Sequence, residues 1–202
     1  MSNEPRSATA PGPSVVARVA PGPANSVRRA IDVAIDAGAS MVEVDLVTFE
    51  AQRGAVGVPC VVVVGSVAEA DRARAAGAAA LRTEAVGPER DRIAELATEH
   101  GIAVHVPFGR GAPTTACLDI GVLDADAGDD LVGRLAALTD LAAAGRLVIA
   151  TIGGVGPDDT AALATLAVGR GASFLRAQEV AAATRAARVV AALAAEHGAR
   201  AR

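Results

Sequence analysis

The chain has 202 residues, enough for one domain with a substantial core, and a formal net charge of −4. All 19 basic residues are Arg, which excludes Schiff-base chemistry and a lysine phosphate clamp, and Trp and Tyr are absent. With so few aromatic rings and no basic block, nucleic-acid binding is not expected; no apolar run approaches the ~20 residues of a membrane helix.

Short β-branched runs alternate with longer Ala/Leu-rich amphipathic runs. A Pro/Gly/Ser-rich tail over residues 1–14 has no apolar stretch to serve as a signal peptide, so a cytoplasmic setting is expected. Val15–Val19 reads as a first strand, followed by a helix whose Val27, Ile31, Ala34 and Ile35 share one face. Met41–Val47 and Cys60–Val64 read as strands two and three, with a helix from Val67 to Ala76 and a weak fourth strand at Ala79–Thr83. Pro88 opens a helix that stops at Gly101. Strands five to eight are expected at Ile102–Val106, Ala116–Ile120, Leu147–Thr151 and Ser173–Arg176. A helix carrying Leu131, Leu135, Leu138 and Leu141 precedes strand seven, another starts at Gly156-Pro157-Asp158-Asp159, and the last runs from Glu179 to His197. Eight strands with intervening helices predict an α/β protein, a compact (β/α)8 TIM barrel over residues 15–197 with a short tail at 198–202. Some helices are short or missing, because Thr48–Gly57 and Pro107–Thr115 are too short or too rich in Gly and Pro. An open doubly wound sheet is the alternative.

Nearly every strand carries a polar residue toward its C-terminal end, where barrels of this type place their chemistry. These are Arg18, Glu43 with Asp45, Arg82, His105, Asp119 and Arg176. Charges on such strands are expected to point inward, so a ligand-binding mouth is expected from Arg18, Glu43, Arg82, Asp119, Gly153, Gly154 and Arg176, with Asp45, His105 and Asp119 as candidate acids or bases. Gly153-Gly154 lies where many barrels bind phosphate through backbone N–H groups. The same residues could equally form a self-paired ionic network. Glu43, Asp45, His105 and Asp119 lack the spacing of a metal site, and no metal or other cofactor is expected. Cys60 and Cys117 lie in apolar runs without CxxC spacing and read as buried, reduced thiols.

The closing segment GASFLRAQEVAAATRAARVVAAL resembles the end of dihydropteroate synthases, the pterin-binding family, where an Arg-x-His-Asp element precedes an Ala-rich helix. TAALATLAVGRGA, LDIG at Leu118–Gly121, HGIAVHVPFGRGAP and AIDVAIDAGASMVEVD are similar to other segments of that family, so the likeness runs over residues 15 to 195. The resemblance implies a barrel that binds a pterin diphosphate, from which p-aminobenzoate displaces the diphosphate. Asp119 matches the family's strand-six Asp, and Arg176 its last-strand Arg. Other family positions are replaced: Arg18 for an Asn, Val63 for an Asp, Arg82-Thr83 for an Asn-Asp pair, and Pro107-Phe108 at the Met-His position. Thr151-Ile152-Gly153-Gly154 stands for Ser-Arg-Lys-Ser, and Gln178 and Glu179 for the final His and Asp. A catalytically degenerate barrel is therefore expected, taking a pterin or other small anion and acting as a homodimer or partner subunit. The Ala181–Ala195 helix face is expected either to form that dimer or to pack on the barrel. New chemistry on a small phosphorylated or anionic substrate, or weak retained synthase activity in folate biosynthesis, are the alternatives.

Overall fold

The computed structural model describes residues 13–108, 112, 115–124, 126, 128–153 and 156–200, the last three without side-chain detail. Eight parallel strands close into a barrel in simple sequential order, β1-β2-β3-β4-β5-β6-β7-β8, with β8 returning to β1. The strands are β1 (Ser14–Arg18), β2 (Met41–Asp45), β3 (Cys60–Val64), β4 (Ala80–Thr83), β5 (Ala103–Pro107), β6 (Cys117–Leu123), β7 (Val148–Ile152) and β8 (Phe174–Ala177). Around them lie α1 (Ala24–Asp36), α2 (Leu46–Ala51), α3 (Val67–Ala75), α4 (Pro88–Glu99), α5 (Asp129–Ala143), α6 (Pro157–Gly169) and α7 (Val180–Arg200). The closed barrel, not the open sheet, is the architecture.

Parallel strands covered on both faces need apolar residues at consecutive positions, and the run Cys60-Val61-Val62-Val63-Val64 supplies them. Alternation then divides the molecule into two apolar regions. Val42, Val44, Val62, Leu81, Val104, Leu118, Ala150 and Leu175 face outward into the shell between strands and helices. A smaller cluster of Val16, Val61, Ala80, Cys117 and Ile149, with Met41 and Phe174 against it, plugs the barrel interior. Pairing across the ladders couples inward positions to inward positions: Arg18 with Glu43, Arg82 with His105, Asp119 with Ile149 and Thr151 with Arg176. The interior is therefore layered, an apolar plug below and charged groups toward the C-terminal mouth.

Two local features differ from the pattern read in the sequence. Strand two stops at Asp45, and Val47 lies on α2 with its side chain exposed, because Asp45 accepts from Thr48 N and caps a helix starting at Leu46. The Thr48–Gly57 region holds only the second half of the six-residue α2 and no full helix, as its composition predicts. Among the described residues no helix joins β5 to β6, as the Pro107–Thr115 composition predicts. The register of β6 against β7 shifts between Asp119 and Val122, a bulge centred on Gly121 at φ +86. That bulge turns the Gly121 N–H back to the Asp119 carboxylate at 2.9 Å. Gly121→Ala is expected to cost about 1–2 kcal/mol, since the backbone sits where side chains are strained and a Cβ would run into the Arg134 guanidinium. Chemical denaturation of the variant checks this, and an unchanged midpoint would contradict it.

The Ala-rich face of α7 packs on the barrel: Ala182, Ala183, Ala186 and Ala187 are buried, whereas Val189 and Leu193 are exposed. Cys60 and Cys117 are free and buried. Burial, with Asp119 nearby, pushes the Cys117 thiol up to about 12, so it stays protonated and inert. No described helix is long and apolar enough to cross a membrane.

Candidate functional site at the C-terminal mouth

Arg176 organises the mouth. It projects inward from β8, 2% exposed, and reaches two carboxylates from opposite sides of the barrel. Its Nη1 donates to Asp119 Oδ2 at 2.6 Å and to Thr151 Oγ1 at 2.8 Å. Its Nε lies 2.7 Å from Glu43 Oε2, an attraction between charges off the hydrogen-bonding axis, so neither atom counts as hydrogen-bonded. Its Nη2 is buried without a partner. Asp119 has little capacity left: Oδ1 accepts from Gly121 N at 2.9 Å and from the Thr151 hydroxyl at 3.3 Å. Burying two carboxylates is tolerated here because one guanidinium stands between them.

Two further arginines complete the layer more loosely. Glu43 Oε1 lies 3.9 Å from Arg18 Nε and 3.9 Å from Arg82 Nη1, and Arg82 Nε lies 3.9 Å from Asp119 Oδ2. These are ion pairs by distance but too long for hydrogen bonds. The Arg82 Nη2 makes its short contact outward, at 2.6 Å to Glu84 on the rim. Arg18 remains largely exposed, with 63% of its side chain open to solvent.

His105 sits deeper, 1% exposed, with its ring 5.6 Å from that of Phe174 and its Nδ1 unpartnered. Burial first, then the Arg176 guanidinium, pushes its pKa down to about 4, against an opposing pull from Asp119. At neutral pH it is an uncharged ring in the barrel interior.

Of the expected site residues, Arg18, Glu43, Arg82, Asp119 and Arg176 come together in one ionic layer. Asp45 is committed elsewhere: its two oxygens accept from Thr48 N and Thr48 Oγ1, each at 2.8 Å, so the cap consumes the carboxylate. The Asp45-Leu46-Val47-Thr48 run carried that signal, an N-cap residue ahead of a hydroxyl at N3. Gly153 does not offer its amide to a phosphate, because its N–H bonds Leu123 O at 3.1 Å. Gly154 lies outside the described residues. Thr151, Glu84 and Phe174 were not among the expected site residues, though the first two bond to the ionic layer and Phe174 packs its ring against His105. Thr151 was legible as an inward residue two positions from Ile149, and Glu84 as a carboxylate two positions from Arg82.

Fold and mouth together define a (β/α)8 barrel with a charged C-terminal opening. Among solved structures, the chain shares this architecture with dihydropteroate synthases and with one further mycobacterial protein. The Mycobacterium tuberculosis protein Rv1207 aligns with a TM-score of 0.75 at 21% identity, over 90% of this chain and 92% of that one. Yersinia pestis dihydropteroate synthase gives 0.74 at 17%, over 91% and 93%, and 7,8-dihydropteroate synthase from Vibrio fischeri gives 0.71 at 13%, over 90% and 93%. No protein-family profile and no curated protein matches the sequence. The resemblance expected from the sequence is thus shown at the level of the fold.

Proposed function

We propose that this chain is a dihydropteroate-synthase-like barrel that has lost synthase chemistry and keeps its mouth as a binding site for a small anionic ligand. One observation carries the reading: Asp119, the match to the family's strand-six carboxylate, is held by Arg176, Thr151 and the Gly121 amide. A pterin ring presents fixed donors that need free carboxylate acceptors, and leaving buried ones unpaired costs about 1–3 kcal/mol each. Val63 provides no carboxylate, and Arg82 adds positive charge where the family has an amide and an acid. With Asp119 and Arg176 spent on each other, weak retained synthase activity loses its two matching residues.

Altered chemistry is the less supported alternative. Its acid or base would come from Asp45, His105 or Asp119. Asp45 caps a helix, His105 takes a proton only near pH 4, and Asp119 is held in the ionic layer. A binding or partner subunit needs none of them free. Exposed Leu166 on α6 with Val189 and Leu193 on α7 would suit a second copy or a partner chain, and two buried free thiols suit a reducing cytoplasm. The test is growth of a synthase-deficient strain carrying this chain. No growth without supplements is expected; restored growth would overturn the reading.

A further inference from the structure

We propose a second binding site at the opposite end of the barrel from the mouth, built for a small organic carboxylate with a compact apolar body. It stands independently of the reading given above for the mouth. A cavity of about 400 Å³ opens where the strands begin, between Ser14 and Val15 of β1, Gly38 and Ser40 in the turn before β2, and α7. The helix faces it with Thr184, Ala187, Arg188 and Ala191, spaced i, i+3, i+4 and i+7 along one side.

Thr184 is 6% exposed, yet its hydroxyl has no hydrogen-bond partner. Thr98, Thr139 and Thr165, also inside helices, each donate to the carbonyl four residues back, at 2.8, 3.0 and 2.8 Å. Thr184 turns its side chain instead to the gap left by Gly38, where a Cβ would stand 2.8 Å from its Cγ2 and 3.3 Å from its Oγ1. A buried hydroxyl left unpaired is costly, and a polar ligand atom in the cavity would relieve that cost.

The charge of the site comes from Arg188, one turn beyond Thr184. It is exposed and makes no ion pair or hydrogen bond with the described residues. Among the described residues no carboxylate lines the cavity; Asp36, two positions before Gly38, is not part of its wall. A cationic ligand would therefore find nothing there to neutralise it. A carboxylate matches the planar guanidinium fork, and one guanidinium answers one negative charge. Ser40 Oγ is already committed to Val15 O at 3.1 Å, which leaves Arg188, Thr184 and Ser14 to hold the head group. Pro13, Val15, Ala187 and Ala191 supply the apolar wall for a short body.

Titration calorimetry of the full-length chain with hexanoate, hexylamine and hexanol, which share a body and differ in head group, tests the proposal. Hexanoate should bind about 10-fold or more tightly than the other two. Arg188→Gln should weaken hexanoate about 10-fold or more, and Thr184→Val, which keeps the shape and removes the hydroxyl, about 3-fold or more. Without ligand, Thr184→Val should melt no lower than the unaltered protein, because only an unpaired buried hydroxyl is lost. A lower melting temperature would mean that the hydroxyl is already bonded, and would overturn the site. Hexanoate binding no better than hexanol or hexylamine, or not at all, would overturn it too. So would unchanged hexanoate binding in either Arg188→Gln or Thr184→Val. If binding is lost in Arg82→Gln instead, the acid occupies the mouth: the second site falls and the reading of the mouth stands.

Discussion

Replacing Arg176 with Met is expected to destabilise the protein by about 3–5 kcal/mol, a large fraction of the stability of a domain this size. The cost arises less from losing attractive contacts than from what remains. Glu43 is 1% exposed and Asp119 9%, and without the guanidinium both carboxylates stay buried near one another. Arg82 and Arg18 are 3.9 Å away and turned partly to solvent, too loose to take over. Met fits the volume but neutralises nothing. Guanidinium denaturation should show the midpoint falling sharply at unchanged slope. Adding Glu43→Gln and Asp119→Asn to Arg176→Met should recover much of the loss, because the triple variant buries no unpaired charge. Arg72→Met, which breaks an exposed pair with Glu50, should change stability by less than ~1 kcal/mol. A loss below about 1 kcal/mol at Arg176 would contradict the view that this residue holds the mouth together.

Acid should weaken the fold through His105. Its folded pKa of about 4 lies below the ordinary value of 6.5, so the unfolded chain takes up a proton first as pH falls. Above pH ~6.5 both states are neutral and the residue contributes no pH dependence. Between about 6.5 and 4 stability declines with falling pH, by up to about 3 kcal/mol in all. The physical source is an imidazole packed against Phe174 and facing Arg176 and Arg82, where protonation would add a buried cation, with Asp119 the one opposing charge. In His105→Leu this part of the pH dependence should vanish. Carboxylate titrations common to both proteins cancel in the difference between their profiles. Parallel profiles from pH 7 to pH 4 would contradict the assignment.

The barrel and the membership of its ionic layer were largely legible in the chain. Strand alternation alone places Arg18, Glu43, Arg82, His105, Asp119 and Arg176 inward, since their neighbours Ala17, Val42, Leu81, Val104, Leu118 and Leu175 are shell residues. What alternation does not reveal is commitment. Asp45 has the same parity as Glu43, yet a helix begins one residue later and takes its carboxylate as a cap. Gly153 sits where a phosphate loop is expected, but the β6 bulge at Gly121 carries the ladder on to Leu123, whose carbonyl takes the amide. Likewise, a count of three Arg against the acids does not say which Arg is buried between carboxylates and which turns outward to Glu84. That division depends on side-chain direction within a closed barrel, a three-dimensional property that spacing along the chain does not encode.

The most direct test of the central claim is a synthase assay on the purified full-length chain, supplied with the pterin diphosphate and p-aminobenzoate and read as dihydropteroate formed. A mouth whose strand-six carboxylate is held by Arg176 predicts no product above the uncatalysed background. Product formation with turnover, lost on Asp119→Asn, would contradict the account and return the barrel to the synthases whose fold it shares.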